Sequence, residues 1–567
     1  MTGSPPPDGP PDGVTRRTVL RGAAVAGAAA LVDPGAAVAR AGGPRLGRVP
    51  DVFSRSVGAL GAGRESSPIA APRVFSLAGV EWSGASGARI ELRARSVGGG
   101  WSPWVIASVL GHDGDGSSAG SQRFGEPVWT GPADQVQLRS SIAVAGVHLH
   151  FVALPAVASG DAHAARAFPL AQPILDAGPG QPPIIARGAW AQGRARPTHL
   201  PVYERVKLAF VHHSDGANGY GPSEVPSILL GIFAYHVYVR GYWDIAYNFA
   251  VDAFGRIWEA RAGGIDLPVM GAHAGGYNAE STGMVVLGTF MDVVPSPAAI
   301  AALERLLAWK LSLHGVPTLG RVTVEVEPDG AIYTPFAPGS HVSLPRVAGH
   351  RDGDTTDCPG NAFYARLPSM RPAIAGLAGA QARLTIAAPA AAVNAGTSVT
   401  LTGGLTQVAG GAPLTGATVE LQQVGVVRGV TTTIATGTTD DGGGWSFTLT
   451  PAQNVLVRVL HRPAPAAVSD VVALGVAPIL NLTLESSSPL QVSGTVSPVG
   501  SPVTVDLYRV TGGRRHQVAS KRVATAGGTF AAGFGARRSG RFVLVARTPA
   551  TARYDAGASP PLGVTIG

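Results

Sequence analysis

The stretch SPAAIAALERLLAWKLSLHG, residues 296–315, decides the fold class of the central part of this 567-residue chain. Ser296 is a suitable N-cap, Pro297 is a favoured first helical residue, and Gly315 is a typical helix end. Apolar residues recur between them at helical spacing: Ile300, Leu303, Leu307 and Leu311. The sequence therefore predicts one long amphipathic helix with one apolar face.

Three stretches around this helix have the composition of buried strands. They are LAFVHH (208–213), YNFAVD (247–252) and GMVVLGTF (283–290). Strands that alternate with helices indicate a mixed α/β domain. We assign that domain to residues 184–378.

The regions on both sides of this domain favour β-structure. Polar and apolar residues alternate in ARIELRARS (88–96) and DQVQLRSS (134–141), which predicts an N-terminal β-sandwich over 71–157. After residue 378 helix signals disappear, and strand-and-turn patterns occur twice, as in immunoglobulin-like (Ig-like) β-sandwiches at 379–477 and 478–567. Residues 42–70 and 158–183 have linker composition. The predicted fold is thus multi-domain, with a central mixed α/β domain flanked by β-sandwiches.

The first 41 residues have the layout of a Tat-type signal peptide. Arg16 and Arg17 precede an apolar run at 22–32, and small residues follow at 37–41. A membrane anchor is the alternative, but this run is shorter than the roughly 20 residues of a stable span. We expect a secreted or cell-wall protein with no stable membrane span after signal cleavage.

Charge narrows the expected partners. The net charge is +8, which favours anionic polymers such as wall phosphates. The sequence has no dense Lys/Arg run with interleaved aromatic residues, so nucleic acid is not an expected partner.

The stretch GHRDGDTTDCPG, residues 349–360, contains the only cysteine of the chain, Cys358. It could be a buried bystander, a nucleophile or a metal ligand. His350 lies on the same loop, and His212 and His213 end a predicted strand. Two histidines and a cysteine match a catalytic zinc site with an open fourth position. Adjacent strand residues face opposite ways, so only one of His212 and His213 should be a ligand, and alternation does not say which.

Five stretches together resemble one enzyme family. They occur in family order over almost the whole central domain: IIARGAWA (184–191), FVHHSD (210–215), WDIAYNFAVDAFGRIWEAR (243–261), MGAHAGGYNAESTGMVVLGTF (270–290) and GHRDGDTTDCPGNAFYARLPSMR (349–371). They resemble the peptidoglycan recognition proteins and phage-lysozyme-type zinc N-acetylmuramoyl-L-alanine amidases. The N-terminal β-domain resembles that of exported actinobacterial members.

The resemblance implies a role for eight residues. Its zinc ligands fall on His212, the first histidine of the pair, and on His350 and Cys358. Its catalytic positions fall on Tyr247 and Thr356. Positions near its substrate groove fall on His213, His273 and Asn278. The resemblance therefore implies a bound Zn²⁺ ion and the muropeptide stem of peptidoglycan as the partner.

The implied function is a zinc-dependent amidase that hydrolyses the bond between the lactyl group of muramic acid and L-alanine of the stem peptide. One alternative is a non-catalytic peptidoglycan-binding or sensor protein, but such members typically lose the cysteine ligand, which this chain keeps. Another is a surface structural protein whose central domain is vestigial. Asp352, Asp354 and Asp357 are expected to form turns or to orient His350. The segment 316–348 is longer than in minimal phage-type members and is expected to line the groove.

Overall fold

The computed structural model describes residues 49–84, 87–107, 109, 122–154, 180–328, 331–425, 429–535 and 537–567. The predicted signal peptide and all but residues 180–183 of the second predicted linker lie outside these ranges. Among the described residues, no helix has both the length and the apolar character that a membrane crossing requires.

The N-terminal domain is built from seven antiparallel strands. They are β1 (Asp51–Leu60), β2 (Ile69–Ser83), β3 (Ile90–Ser96), β4 (Val105–Ala107), β5 (Gln122–Phe124), β6 (Val128–Ser140) and β7 (Val144–Ala153). We predicted a sandwich of two sheets, whereas the structure joins all seven strands in one sheet of order β1-β7-β2-β6-β3-β4, with β5 paired to β2. The long strand β2 has register shifts against both β6 and β7. Such irregularities bend a strand, which lets one sheet surround a core.

The linker predicted at 42–70 is wrong where strands occupy it, and its residues 42–48 lie outside the described ranges. Strand β1 occupies Asp51–Leu60, and β2 begins at Ile69. Strand β1 lies at the edge of the sheet and is mostly exposed, so its residues do not show the apolar alternation that marks a half-buried strand.

The described part of the central domain contains eight strands and five α-helices. The strands are β8 (Ile184–Ile185), β9 (Leu208–His213), β10 (Phe249–Val251), β11 (Ile257–Glu259), β12 (Ser281–Val286), β13 (Arg321–Glu325), β14 (His341–Pro345) and β15 (Val347–Gly349). The α-helices are α1 (Gly188–Ala191), α2 (Val225–Ala234), α3 (Pro297–Leu313), α4 (Asn361–Tyr364) and α5 (Leu367–Ala378). A π-helical turn, Tyr235–Val239, continues α2. Six strands form a sheet of order β15-β9-β12-β10-β11-β8, and β13 pairs with β14.

The helix predicted from residues 296–315 is confirmed as α3. The Ser296 hydroxyl accepts a hydrogen bond from the Ala299 N–H at 3.1 Å, as an N-cap should. Helices α3 and α5 pack on one face of the sheet in the largest apolar cluster. Helix α2 packs in a second cluster, which also includes Leu77 and Trp129 of the N-terminal domain. The central domain is therefore a mixed α/β domain, as predicted, and it shares part of its core with its neighbour.

In the described residues of the C-terminal region, all the regular elements are strands. The first unit contains β16 (Ala382–Leu384), β17 (Val393–Asn394), β18 (Val399–Gln407), β19 (Thr418–Val424), β20 (Thr431–Thr438), β21 (Gly444–Leu449), β22 (Val455–His461), β23 (Ala467–Val468), β24 (Val472–Leu474) and β25 (Val476–Ala477). The second contains β26 (Ile479–Ser487), β27 (Leu490–Ser497), β28 (Val503–Thr511), β29 (Arg514–Val523), β30 (Thr529–Gly535), β31 (Gly540–Thr548), β32 (Gly557–Ala558) and β33 (Leu562–Ile566). Each unit has a three-stranded and a five-stranded sheet around its own core. The β-rich architecture agrees with the sequence, and the Ig-like subtype stays a prediction.

Candidate metal centre

The candidate ligands meet at one edge of the central sheet. Strands β9 and β15 are parallel neighbours, with Gly349 opposite Val211. His212 lies near the end of β9, and His350 directly follows β15, so both residues lie at the carboxyl ends of these strands. Ligand sites in open α/β sheets favour this edge. The loop after His350 returns to β9, where the backbone N–H of His213 donates to Cys358 Sγ at 3.4 Å.

Three side chains form a compact donor set. One ligand atom from each of His212, His350 and Cys358 lies within 4.8 Å of the other two. The Cys358 Sγ atom is 3.7 Å from His212 Nδ1, and the two imidazole ring centres are 4.5 Å apart. Two imidazoles and one thiolate suit a zinc ion that keeps a fourth position open. The structure thus brings together the three residues that were predicted from the sequence as zinc ligands.

The two adjacent histidines have different surroundings. Val211 belongs to the cluster beneath α3 and α5, and by alternation His213 lies on that same face of β9. Its Nε2 is 3.1 Å from Asp215 Oδ1, and burial lowers the pKa of His213 to about 3, so the ring is neutral. His212 lies on the opposite face with the other two donors. His213 was nominated for substrate binding, and the structure places it fully buried.

A carboxylate orients the His350 ring. Asp354 Oδ2 is 3.1 Å from His350 Nε2 and also accepts from the Gly275 N–H at 3.0 Å. This contact fixes the orientation of the His350 ring. Carboxylates that hold a histidine in this way fix its tautomer and strengthen it as a ligand. Burial raises the pKa of Asp354 to about 6, and the adjacent His350 opposes that rise.

The buried thiol fits a cation site. Burial raises the pKa of Cys358, and the charge of Glu126 raises it further. The thiolate, which is the form that binds metals, therefore needs a positive charge beside it. A divalent ion held by the three donors would supply that charge.

The two residues nominated for catalysis flank the donor set. The Tyr247 ring centre is 5.2 Å from that of His212. Burial raises the pKa of Tyr247, and Glu126 raises it further, so the phenol keeps its proton and acts as a donor. Thr356 lies two residues before Cys358, and its hydroxyl accepts from the Cys358 N–H at 3.2 Å. Both residues therefore lie beside the candidate metal centre.

The other groove residues have supporting contacts. His273 Nδ1 is 3.2 Å from His212 Nε2, so it lies directly against a candidate ligand. The Asn278 side-chain oxygen accepts from the N–H groups of His273 and Ala274 at 2.8 and 3.0 Å. Asn278 thus holds the loop that carries His273. From segment 316–348, the Tyr333 carbonyl accepts from the Thr355 N–H at 2.8 Å, which places this segment beside the Thr356 loop.

Sequence reasoning missed two groups of the N-terminal domain. Tyr247 donates to Glu126 Oε1 at 3.2 Å, and Thr356 donates to the Val109 carbonyl oxygen at 3.4 Å. Glu126 lies in QRFGEPVW, a stretch with no metal or catalytic motif. Nothing in the local sequence indicates that this carboxyl reaches another domain.

Comparison with known proteins agrees with this geometry. A family model described as N-acetylmuramoyl-L-alanine amidase matches residues 202–361, the span that carries all three donors. This match lies within the central domain, which we call the amidase-family domain. A second model, described as N-terminal galactose-binding domain-like, matches residues 37–165.

Relatives of the amidase-family domain include proteins from animals. Over 127 residues, the chain is 32% identical to peptidoglycan-recognition protein SA of Drosophila melanogaster, covering 22% of this chain and 60% of that protein. Over 143 residues, it is 31% identical to human peptidoglycan recognition protein 4, covering 24% of this chain and 37% of that protein. This chain therefore spans less than two thirds of the length of either relative.

One solved relative is bacterial. The endolysin N-acetylmuramoyl-L-alanine amidase LysCS of Clostridium intestinale is 19% identical, with a TM-score of 0.25, and the match covers 35% of this chain and 98% of that one.

Proposed function

We propose that this protein is a zinc-dependent N-acetylmuramoyl-L-alanine amidase, which hydrolyses the amide between the lactyl group of muramic acid and L-alanine of the peptidoglycan stem peptide. The observation that carries the proposal is the buried set of His212, His350 and Cys358, with two hydroxyl groups beside it. A binding-only protein has no need of a complete ligand set with catalytic hydroxyls.

Different residues of this chain have different roles in the proposed reaction. A zinc ion held by the three donors would polarise the amide carbonyl and make a water acidic enough to supply hydroxide at neutral pH. Asp354 keeps His350 oriented, and the neutral Tyr247 phenol can donate to the oxygen on which negative charge develops. Thr356 offers a second donor from the opposite loop. Removing one such donor typically lowers the rate by about 10²–10³.

We also propose that the protein acts outside the cytoplasm, on the cell wall, after export through the twin-arginine signal at Arg16 and Arg17. The net charge of +8 supports attraction to anionic wall polymers. Replacing both arginines with lysine should leave the protein inside the cell, which fractionation and immunodetection would show. Unchanged export of the variant would contradict the signal assignment.

Metal content and product analysis test the amidase proposal. The purified wild-type protein should contain about one zinc ion per chain and release glycan from peptidoglycan, exposing new N-terminal alanine, and a chelator should stop the release. Cys358→Ser should lose most of its zinc and its cleavage while still binding peptidoglycan. A Cys358→Ser variant that cleaves as fast as the wild type would exclude the proposed centre.

A further inference from the structure

The candidate centre is closed to large substrates. The side chains of His212, His350, Cys358 and Tyr247 are each at most 2% exposed. A peptidoglycan strand is a bulky polymer, and its amide must touch these groups to react. The arrangement in this structure therefore excludes the proposed substrate.

The N-terminal domain covers the centre. Its hydrogen bonds go to the two hydroxyl groups proposed for catalysis. Tyr247 donates to Glu126 Oε1 and Thr356 to the Val109 carbonyl oxygen. Both acceptors belong to the neighbouring domain. They bind the two donors that the mechanism reserves for a substrate oxygen, so cover and substrate compete for the same hydrogen bonds.

The position of Glu126 is costly for the fold. The residue is 3% exposed, and burial raises the pKa of its carboxyl, with the charge of Asp215 acting in the same direction. The Tyr247 hydrogen bond and the charge of Arg240 oppose that rise only in part. An apolar residue at an interface made only for stability would avoid this cost.

Close packing holds the cover in place. The Tyr235 ring lies against Gly79 of β2, where an added Cβ would come within 2.2 Å of the ring. The Tyr235 hydroxyl donates to the Gly125 carbonyl at 3.2 Å, one residue before Glu126. A glycine at position 79 thus lets the N-terminal domain approach closely enough for Glu126 to reach Tyr247.

We propose that the N-terminal domain is an intramolecular inhibitor of the amidase-family domain, with Glu126 and the Val109 carbonyl occupying the hydrogen-bonding positions of the substrate. Access to the centre requires the segment that contains Gly125 and Glu126 to leave Tyr247. The contacts within this chain show that the centre is covered. Only the identity of the excluded substrate rests on the proposed function.

The single cysteine of the chain makes the cover measurable without any enzyme assay. In the full-length, metal-free protein, alkylation of Cys358 by iodoacetamide can be followed by intact mass. Gly79→Ala should drive the domains apart and accelerate alkylation at least ten-fold. Opening also removes the burial and the Glu126 charge that raise the pKa of Cys358, so the acceleration reports exposure of the thiol together with the fall in its pKa, and both follow from loss of the cover.

A matched control and a second variant complete the test. Gly100→Ala adds the same methyl group to the same domain at a position with no atom within 4 Å, and it should alkylate at the wild-type rate. If Gly79→Ala does not fold, Glu126→Ala takes its place, with Glu91→Ala as its control. If folded Gly79→Ala is alkylated at the wild-type rate, the proposal that the N-terminal domain covers the centre is wrong.

Cleavage of peptidoglycan by the zinc-loaded proteins gives an independent readout. Glu126→Ala should cleave at least several-fold faster than the wild type. Slower cleavage with the zinc content unchanged would make Glu126 a helper of the reaction and overturn the inhibitor proposal. If no zinc-loaded protein cleaves while Gly79→Ala alkylates rapidly, the amidase proposal fails and the cover stands.

Discussion

The amidase-family domain contacts its two neighbours in different ways. On the N-terminal side, hydroxyl groups from the candidate centre donate to the neighbour. On the C-terminal side, Arg458 Nη2 lies 2.5 Å from Asp266 Oδ2, and the arginine is fully buried. Its Nε also donates to Gln422 Oε1 at 3.0 Å.

The C-terminal contact belongs to the main core. Leu460, Ala466 and Val468 of the first C-terminal unit lie in the apolar cluster of α3 and α5. Lys310, on α3, donates to the carbonyls of Ile265 and Leu267 at 2.8 Å each, on both sides of Asp266. None of these residues belongs to the metal-centre donor set. The C-terminal interface therefore shares the main core, whereas the N-terminal interface contacts residues beside the candidate metal centre.

The largest expected effect comes from breaking the C-terminal ion pair. Arg458→Met leaves Asp266 buried without its partner, which should lower the free energy of unfolding by about 3–5 kcal/mol. Urea unfolding measures this loss. Iodoacetamide should still alkylate Cys358 slowly under native conditions, because the N-terminal cover is untouched.

A more exposed arginine of the same unit is the control for that experiment. Arg462 pairs with Glu420 while 40% of its side chain is exposed, so Arg462→Met should cost less than about 1 kcal/mol. Equal losses for Arg458→Met and Arg462→Met would contradict the contrast between the two interfaces.

The second effect is a pH dependence on the C-terminal side. Burial lowers the pKa of Lys310 from its usual 10.5 to about 7, with the charge of Asp266 opposing and that of Arg458 assisting. His314, whose pKa burial also lowers, stays neutral in this range. Between pH 7 and 9 the unfolded chain binds more protons at Lys310 than the folded one, so stability should rise with pH, by about 2 kcal/mol.

Lys310→Met isolates this contribution. The variant keeps an apolar side chain of similar length but has no group to titrate. Urea unfolding at pH 7, 8 and 9 should show a rise for the wild type that the variant lacks. Parallel curves for the two proteins would show that Lys310 titrates normally in the fold.

The smallest effect concerns the N-terminal cover. Tyr235→Phe removes the hydrogen bond to the Gly125 carbonyl and keeps the ring against Gly79. One such bond is worth about 1 kcal/mol, so alkylation of Cys358 should become about five-fold faster. Tyr508→Phe, which removes a hydroxyl in the last domain, should leave the rate unchanged. A Tyr235→Phe rate equal to that of Tyr508→Phe would show that this bond does not hold the cover.

Local sequence patterns predicted the parts of the molecule that local physics determines. Helix α3 follows from its N-cap and apolar spacing. The set of His212, His350 and Cys358 was predicted from two histidines and one cysteine on a strand and a loop, together with the family resemblance. Asp354 beside His350 agrees with the expectation that an acidic residue of this loop orients the histidine.

The errors and omissions arise where distant surfaces meet. Strand β1 pairs only with β7 at the sheet edge, so burial imposes little pattern on it. Glu126 follows a short strand, and its contact with Tyr247 spans 121 positions of sequence. Such a contact depends on how two domains dock, which no periodicity within either domain encodes.

Gly79 gives this docking an evolutionary consequence. Alanine differs from glycine by one methyl group, and their codons differ by a single base. Under the proposed inhibition, one point mutation in the N-terminal domain would be enough to release the proposed amidase, with its reaction centre unaltered. Natural selection could thus change the rate at which such a protein cleaves cell walls through a residue that does not contact the substrate.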